Sequence, residues 1–314
     1  MLCEGVVGQE LARRYFTNAI AGGRVSHAYL LAGPAGVGKR RFADELAAAL
    51  LCRAGPLRAC GSCVSCRTLV SGNHPAYSVV APEPGKRLEI DSVRAAIESL
   101  SLRGEPRRIM VLDEADRMND PAANAFLKTL EEPPPGIIFL LVTARPAHLL
   151  PTIISRSHRV PFVPLSNVEF DTVLTRLEID PHALPGLHRG SSGSPGRALQ
   201  ILAGIEACGG NERFQSLLDG LGSDRPEALF DYLPAASNET KRDHARRVLQ
   251  LVLEGLWWRR TDDPDALERL AARVVRLDEF LRDVDGNLNP DLIIEETAQL
   301  LSRDEAGPSW VRRR

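Results

Sequence analysis

No apolar run in these 314 residues is long enough to cross a bilayer. The longest, Ile137-Ile138-Phe139-Leu140-Leu141-Val142, falls far short of the roughly 20 residues a spanning helix needs. The opening Met1-Leu2-Cys3-Glu4-Gly5 has neither the charged nor the apolar segment of a secretion signal, so the expected address is the cytosol, with no membrane partner. Charge of one sign is lacking too. A formal net charge of −2 gives no bulk attraction to nucleic acid, and any such contact needs a local basic patch. There is no internal repeat and no low-complexity tract. What remains is an ordinary globular composition, 44% apolar and 25% charged, in a chain long enough for two or three domains.

The most telling absence is a single hydroxyl. Gly33-Pro34-Ala35-Gly36-Val37-Gly38-Lys39 completes G-x-x-x-x-G-K, between the apolar strand Ala28–Ala32 and a helix opening Arg41-Phe42-Ala43. This is the context in which backbone N–H groups and a helix N-terminus cradle phosphate. Gly33, Gly36 and Gly38 let the loop close, and Lys39 reaches the outer phosphates. The next residue should be Ser or Thr, whose oxygen ligates magnesium. Here it is Arg40, a cation with no acceptor oxygen. The chain therefore has the frame of an ATPase with a defective metal position, and magnesium is doubtful. ATP, ADP or nothing could fill the loop.

Four of the six cysteines cluster as Cys52, Cys60, Cys63 and Cys66, spaced C-x7-C-x2-C-x2-C. In a reducing compartment such spacing indicates a metal site rather than disulfides. Four thiolates suit tetrahedral, structural zinc with no open position. Gly55, Pro56, Gly61 and Ser62 supply the turns. Cys3 and Cys208 are isolated and are expected to be small, wholly or half-buried residues.

Up to Pro164 strands alternate with helices, which predicts a parallel α/β sheet. Strands are expected at 28–32, 77–80, 108–112, 137–142 and 159–162, the last on an edge because of Pro161. Helices are expected at 10–20, with the apolar Leu11, Tyr15, Phe16 and Ile20 on one face, from Arg41 to about 51, at 91–100 capped by Asp91, and at about 121–130. Three short helices follow at 167–177, 181–188 and 195–203. From about 209 to 302 the chain is helical, with long segments at 240–259 and 264–282 and Trp257 and Trp258 in the core. The tail from Arg303 is expected to fray.

A second phosphate-chemistry signal is the apolar strand Ile109-Met110-Val111-Leu112 ending in Asp113-Glu114. In a P-loop ATPase the first carboxylate organises magnesium and the second orients water. This end opens the run Asp113-Glu114-Ala115-Asp116-Arg117-Met118, and the runs Asn124-Ala125-Phe126-Leu127-Lys128-Thr129-Leu130-Glu131-Glu132-Pro133-Pro134 and Leu150-Pro151-Thr152-Ile153-Ile154-Ser155-Arg156 follow. With the cysteine spacing, Val7-Gly8-Gln9 and His27-Ala28-Tyr29-Leu30, they resemble the bacterial replicative clamp-loader family over residues 1 to about 205. The resemblance implies an AAA+ P-loop α/β domain over 1–164 with a zinc module at about 52–66. It implies a three-helix lid at 165–208 and an all-α collar at 209–314. Two kinds of subunit share this plan: the gamma/tau ATPases and the delta-prime stator. Arg40 and the absence of a long C-terminal extension make the chain similar to delta-prime. Lys39, Asp113 and Glu114 are retained, against the most decayed pattern.

By matching motif, the resemblance puts Gln9 near adenine, Thr143 as a sensor beside the outer phosphate and Arg197 as a second sensor. It makes Arg156 a cation acting in trans on a neighbouring subunit's ATP. Ser157 stands where the family has Cys. Arg94, Arg103, Arg107 and Arg108 fall in a region that faces primed DNA in the family. The implied partners are delta, gamma/tau, the sliding clamp through the assembled ring, and primed DNA weakly. The ring belongs to the DNA polymerase III assembly. The alternatives are a divergent gamma/tau ATPase and a clamp-loader-like AAA+ protein of DNA repair.

Overall fold

The computed structural model describes residues 2–83, 86–101, 106–182, 184, 187–207, 210, 212, 240–258, 273–277, 279–281 and 289–302. Arg103, Cys208, residues 183, 185 and 186 of the helix expected at 181–188, residues 213–239 and 259–272, and the tail from 303 lie outside them, as do the side chains of Trp257 and Trp258. No described helix is long and apolar enough to cross a membrane. The described residues group into two units. One takes residues through Ile179 together with Gly193–Gly196; the other takes 180–192 and the described residues from 197 on.

The first unit is built on five parallel strands. These are β1 (Ala28–Ala32), β2 (Tyr77–Val80), β3 (Arg108–Leu112), β4 (Ile137–Thr143) and β5 (His158–Pro161), in the order β2-β3-β4-β1-β5. Every residue of β1, β3 and β4 is buried. That is why these strands are continuous apolar runs: parallel strands covered on both faces have no polar side. β5 lies on the edge with only Val160 buried, so Pro161, which has no N–H to give a further strand, is tolerated.

Helices cover both faces. α1 (Glu10–Ala21) and α2 (Lys39–Leu51) pack on one, where Phe16, Phe42 and Leu46 meet Tyr29, Leu31, Val111 and Leu140. The opposite face is covered by α4 (Ile90–Ser101), α5 (Asp120–Glu131) and α6 (Pro151–Ser155), with Phe126, Val93 and Ile153 against Leu30, Met110, Phe139 and Leu141. The alternation Leu30 to one face, Leu31 to the other is the strand period of two. A short α3 (Val64–Val70), not expected from the sequence, carries the last cysteine. α7 (Asn167–Arg176) starts with a capping box in which the Ser166 hydroxyl accepts from the Glu169 N–H and the Glu169 carboxylate accepts from Ser166.

Two local expectations need correction. The inner face of α1 is Ala12, Arg13 and Phe16, while Leu11 is 62% and Tyr15 38% exposed. The cause is Arg13. Its guanidinium is buried and donates to the carbonyls of Leu2, Val6 and Gly8, so a charged residue occupies the core side once its donors are satisfied. Asp91 lies in the first turn of α4, which begins one residue earlier at Ile90. α5 is capped by Asn119, whose Oδ1 accepts from the Ala122 N–H at 2.9 Å, with a proline in the first turn.

The second unit contains α8 (Leu187–Gly190), the part of α9 (Pro195–Ala207) after Gly196, α10 (Lys241–Trp258) and α11 (Pro290–Ser302). Apolar residues at helical spacing, Ala245, Val248, Leu249, Val252 and Leu256, bury one stripe of α10, and α11 adds Ile293. α10 packs against α8 and α11, and Lys241 pairs with Asp291 at 2.5 Å.

Candidate functional site

Three adjacent strands, β3, β4 and β1, end their carboxyl edges on one cleft of about 630 Å³. Open α/β sheets bind ligands at this edge. The loop after β1 turns tightly because Gly36 and Gly38 take φ of 73° and 95°, and because Gly33 lies so close to β5 that a Cβ would come 2.2 Å from the Phe162 carbonyl oxygen. Its first amide, Gly33 N, donates to Thr143 O at the end of β4. Ser194 Oγ donates to Ala35 O at 2.8 Å and Gly196 N to Gly36 O at 3.0 Å, so the loop is tied down on both sides.

The expected residues meet here. Lys39, Arg40, Asp113, Glu114 and Thr143 all line the cleft. Their polar groups are already paired with one another or with neighbours. Lys39 is only 5% exposed and its ammonium donates to the carbonyls of Gly33 and Pro34. Burial pulls its pKa down to about 8, against the opposing pull of Asp113 and Asp116. Arg40 donates from Nε to Asp44 Oδ1 at 2.9 Å and from Nη1 to Asp113 Oδ2 at 3.2 Å. The Tyr77 hydroxyl donates to the same Asp44 oxygen, and burial raises the tyrosine pKa. Glu114 sits in the left-handed region at φ 47° and pairs with Arg117 at 2.6 Å.

Thr143 is 1% exposed and donates to Asp116 Oδ1 at 2.7 Å. Asp116 also accepts from Arg145 Nε at 2.9 Å. Burial would raise the Asp116 pKa, but the Thr143 and Arg145 hydrogen bonds more than offset it and hold the carboxyl below its ordinary range. Asp44, Tyr77 and Arg145 were not singled out in the sequence, and Asp116 and Arg117, though part of the run Asp113–Met118, were given no role at the site. Asp116 had a signal, standing three residues after Asp113 past a strand end. The partnership of Tyr77, Asp44 and Arg40 had none.

Magnesium, which the P-loop implies, does not fit these residues. The position after Lys39 offers donors in place of an acceptor, and the carboxylate that would face the metal accepts from that same guanidinium.

Gln9 is buried, and both ends of its amide are used. Oε1 accepts from Val163 N at 3.0 Å, and Nε2 donates to Val163 O at 2.7 Å and Val37 O at 3.4 Å. It thereby clips the chain after β5 to the P-loop. Arg197 belongs to the second unit and is half-buried in the first turn of α9. Arg156 closes α6, 39% exposed, with Nη2 3.0 Å from Glu131 Oε1 and Nη1 donating to Thr152 O. Among the basic residues of the expected DNA-facing region, Arg108 is buried and donates to Pro135 O, and Arg107 donates to Leu50 O at 3.1 Å. Burial takes Arg108 away from any external phosphate. Arg94 lines a groove with Lys128 between α4 and α5.

The cysteine cluster behaves differently. The sulfurs of Cys52, Cys60, Cys63 and Cys66 lie within 4.8 Å of one another, and those of Cys60 and Cys66 are 4.0 Å apart. Tetrahedral zinc with Zn–S of about 2.3 Å needs S···S near 3.8 Å, so the set fits. Backbone amides point at sulfur: Cys60 N at Cys52, Cys63 N at Cys60, and Cys66 N at Cys63, at 3.3 to 3.4 Å. The amide of Cys63 and the Ser62 hydroxyl lower the Cys60 pKa to about 6, while burial pushes Cys66 up to about 12. The module is anchored by a buried relay. Ala76 N donates to His74 Nδ1 at 3.0 Å, His74 Nε2 lies 2.7 Å from Ser65 Oγ, and Ser65 donates to Leu51 O.

A family described as DNA polymerase III, delta subunit matches residues 8–166. The DNA polymerase III subunit delta' of Pseudomonas aeruginosa is 46% identical over 143 residues, 43% of this chain and 43% of that protein. The match thus spans less than half of that relative. The DNA polymerase III subunit delta' of Escherichia coli K12 is 31% identical over 295 residues, 87% of this chain and 88% of that protein. Among solved structures, a DNA polymerase III gamma-subunit-related protein of Thermotoga maritima superposes with a TM-score of 0.50 at 18% identity, covering 94% of this chain and 98% of that one, a likeness of fold.

Proposed function

The chain belongs to the family of DNA polymerase III delta' subunits, and from that premise we propose that it is the stator of a bacterial clamp loader. It would assemble with delta and gamma/tau subunits through an all-α collar over 209–314, beyond a lid at 165–208. The assembled ring would open the sliding clamp and seat it on primed DNA, in the bacterial cytosol. The cysteine module would hold one structural zinc. Its own ATP turnover would be weak or absent. The observation that carries the stator over a gamma/tau ATPase is the Arg40–Asp113 pair, which commits the carboxylate that a working ATPase gives to magnesium.

The chain's contribution to hydrolysis would come from Arg156, acting on the ATP of the adjacent subunit. Its exposure at the end of a short helix supports this role. The Glu131 pair does not oppose it, because an exposed pair contributes only about 0–1 kcal/mol and is readily exchanged for phosphate. Reconstitution tests the proposal. With delta, gamma/tau and clamp, the chain should support DNA-stimulated ATP hydrolysis and clamp loading. Arg156→Ala should assemble normally and cut hydrolysis at the neighbouring site by about 10³ or more. Unchanged rates in a fully assembled ring would remove the trans role. Failure of the chain to join a ring would remove the stator itself.

A further inference from the structure

In P-loop ATPases the sheet edge that carries the P-loop lysine and the strand-end aspartate takes nucleotide together with a divalent cation, and here an arginine side chain stands beside that aspartate. Arg40 is not a loose surface arginine. It follows directly on Lys39, it is half-buried, and two carboxylates from different elements hold its guanidinium: Asp44 one turn along α2 and Asp113 at the end of β3. Asp44 is fixed in turn by the Tyr77 hydroxyl from β2, so the guanidinium is oriented from three elements. Arg145 and Arg117 take the remaining carboxylates of the cleft, on Asp116 and Glu114. Among the described residues lining the cleft, no carboxylate is without a cationic partner.

We propose that Arg40 is the resident cation of this site: held by Asp44 and Asp113, its guanidinium occupies the place of the metal, and the P-loop takes a nucleoside polyphosphate free of divalent cation rather than its magnesium complex. The physical case has three parts. A guanidinium keeps its charge at every accessible pH and retains N–H donors beyond the two engaged here, so it can meet phosphate oxygens directly. A hydrated magnesium ion needs oxygen ligands and would have to settle beside a fixed positive charge with Asp113 already committed. The cradle itself is intact, with Gly36 and Gly38 in the left-handed region and Lys39 at the start of a 13-residue helix. This deepens the stator reading and rests on it only in supposing that the site does not need to hydrolyse.

The test is equilibrium binding of ATP to the full chain, freed of co-purified nucleotide, once in a chelator and once in excess magnesium. Binding in chelator that weakens roughly tenfold or more when magnesium sequesters the free anion is the expected result. Binding that tightens with magnesium overturns the proposal, and so does an absence of binding in both conditions. Manganese relaxation with ATP present gives a second reading. The wild-type chain should show no bound ion near the ligand, whereas Arg40→Thr should gain one, and Arg40→Lys, which keeps a cation, should not. A manganese ion in the wild-type cleft would overturn the idea whatever the variants do. None of these outcomes touches ring assembly or clamp loading, so the stator can fail or stand separately.

Discussion

The cysteine module and the P-loop cleft lie in the same unit, and both were legible as motifs, yet they have opposite chemistry. At the module four sulfurs converge to within 4.8 Å and the nearby backbone offers them only N–H donors. Such donors stabilise thiolate but leave the ligand positions pointing at a common centre. In the cleft each carboxylate has an internal cation: Asp113 has Arg40, Glu114 has Arg117, Asp116 has Arg145. The first arrangement fits an ion from outside; the second already pairs its carboxylates with its own guanidinium groups. A motif gives the identity of the groups, while their partners decide whether they remain available.

The sharpest way to break that contrast is to remove the ion from the module. Structural zinc contributes about 10–16 kcal/mol of apparent free energy to small folded modules. The full chain should therefore carry about one equivalent of zinc by elemental analysis, and Cys63→Ala should lose it. Amide exchange should then rise across residues 52–76 while β1, β3 and β4 stay protected, because those strands are buried by their own two helical layers. Four freely titrating thiols in a metal-free chain with an unchanged exchange pattern would mean that the convergence is packing and nothing more.

The cleft makes a smaller prediction with a definite sign. Lys39 has its pKa lowered by burial to about 8. Its ammonium is the form that attracts phosphate, so affinity for free ATP should be full below about pH 8 and should fall as pH rises through that value, by roughly tenfold over the next unit or two. Stability of the ligand-free chain should move the other way. Between about 8 and the ordinary lysine value of 10.5 the unfolded lysine binds more proton than the folded one, so stability rises with pH in that window. Lys39→Arg should flatten both profiles. Binding that is level from pH 7 to pH 10 would show that Lys39 stays with the Gly33 and Pro34 carbonyls and takes no part.

These contrasts also show what the sequence could carry. All five strands were readable: β1, β3 and β4 because a parallel strand buried on both faces has to be an apolar run, the half-buried β2 from its short Tyr77–Val80 pattern, and β5 was placed on an edge by Pro161. That Lys39 and Asp113 share a cleft was readable from motifs placed at strand ends, and Thr143 joined them through the family resemblance. What was hidden depends on distance through space. Arg40 and Asp113 lie 73 residues apart, and nothing in either segment tells which cation reaches which carboxylate. The inner face of α1 was hidden for a similar reason. Arg13 looks like a surface residue until the carbonyls of Leu2, Val6 and Gly8 fold over it. The resemblance placed Gln9 near adenine, and its pairing with Val163 and Val37 across 154 and 28 residues was not readable in the sequence.

The smallest expected effect on the stability of the chain comes with the most discriminating pair of variants, at Arg156, which belongs to neither pattern. It is paired, as the cleft residues are, but exposed, and its partner Glu131 is 46% exposed as well. If the pair is structural, Glu131→Gln and Arg156→Ala should do the same thing: each removes one bridge worth about 0–1 kcal/mol, and each should shift the melting midpoint slightly and equally. If Glu131 only parks a cation meant for a neighbour's phosphate, the two variants should separate. Both would still melt within that narrow range. In the reconstituted ring, however, Arg156→Ala would lose neighbouring-site hydrolysis, while Glu131→Gln would keep it or raise it slightly, since a competing carboxylate charge has been removed from the guanidinium. The comparison needs only steady-state ATPase of two assembled complexes. Equal losses from both variants would place Arg156 with the self-paired residues of the cleft and leave the trans role without support.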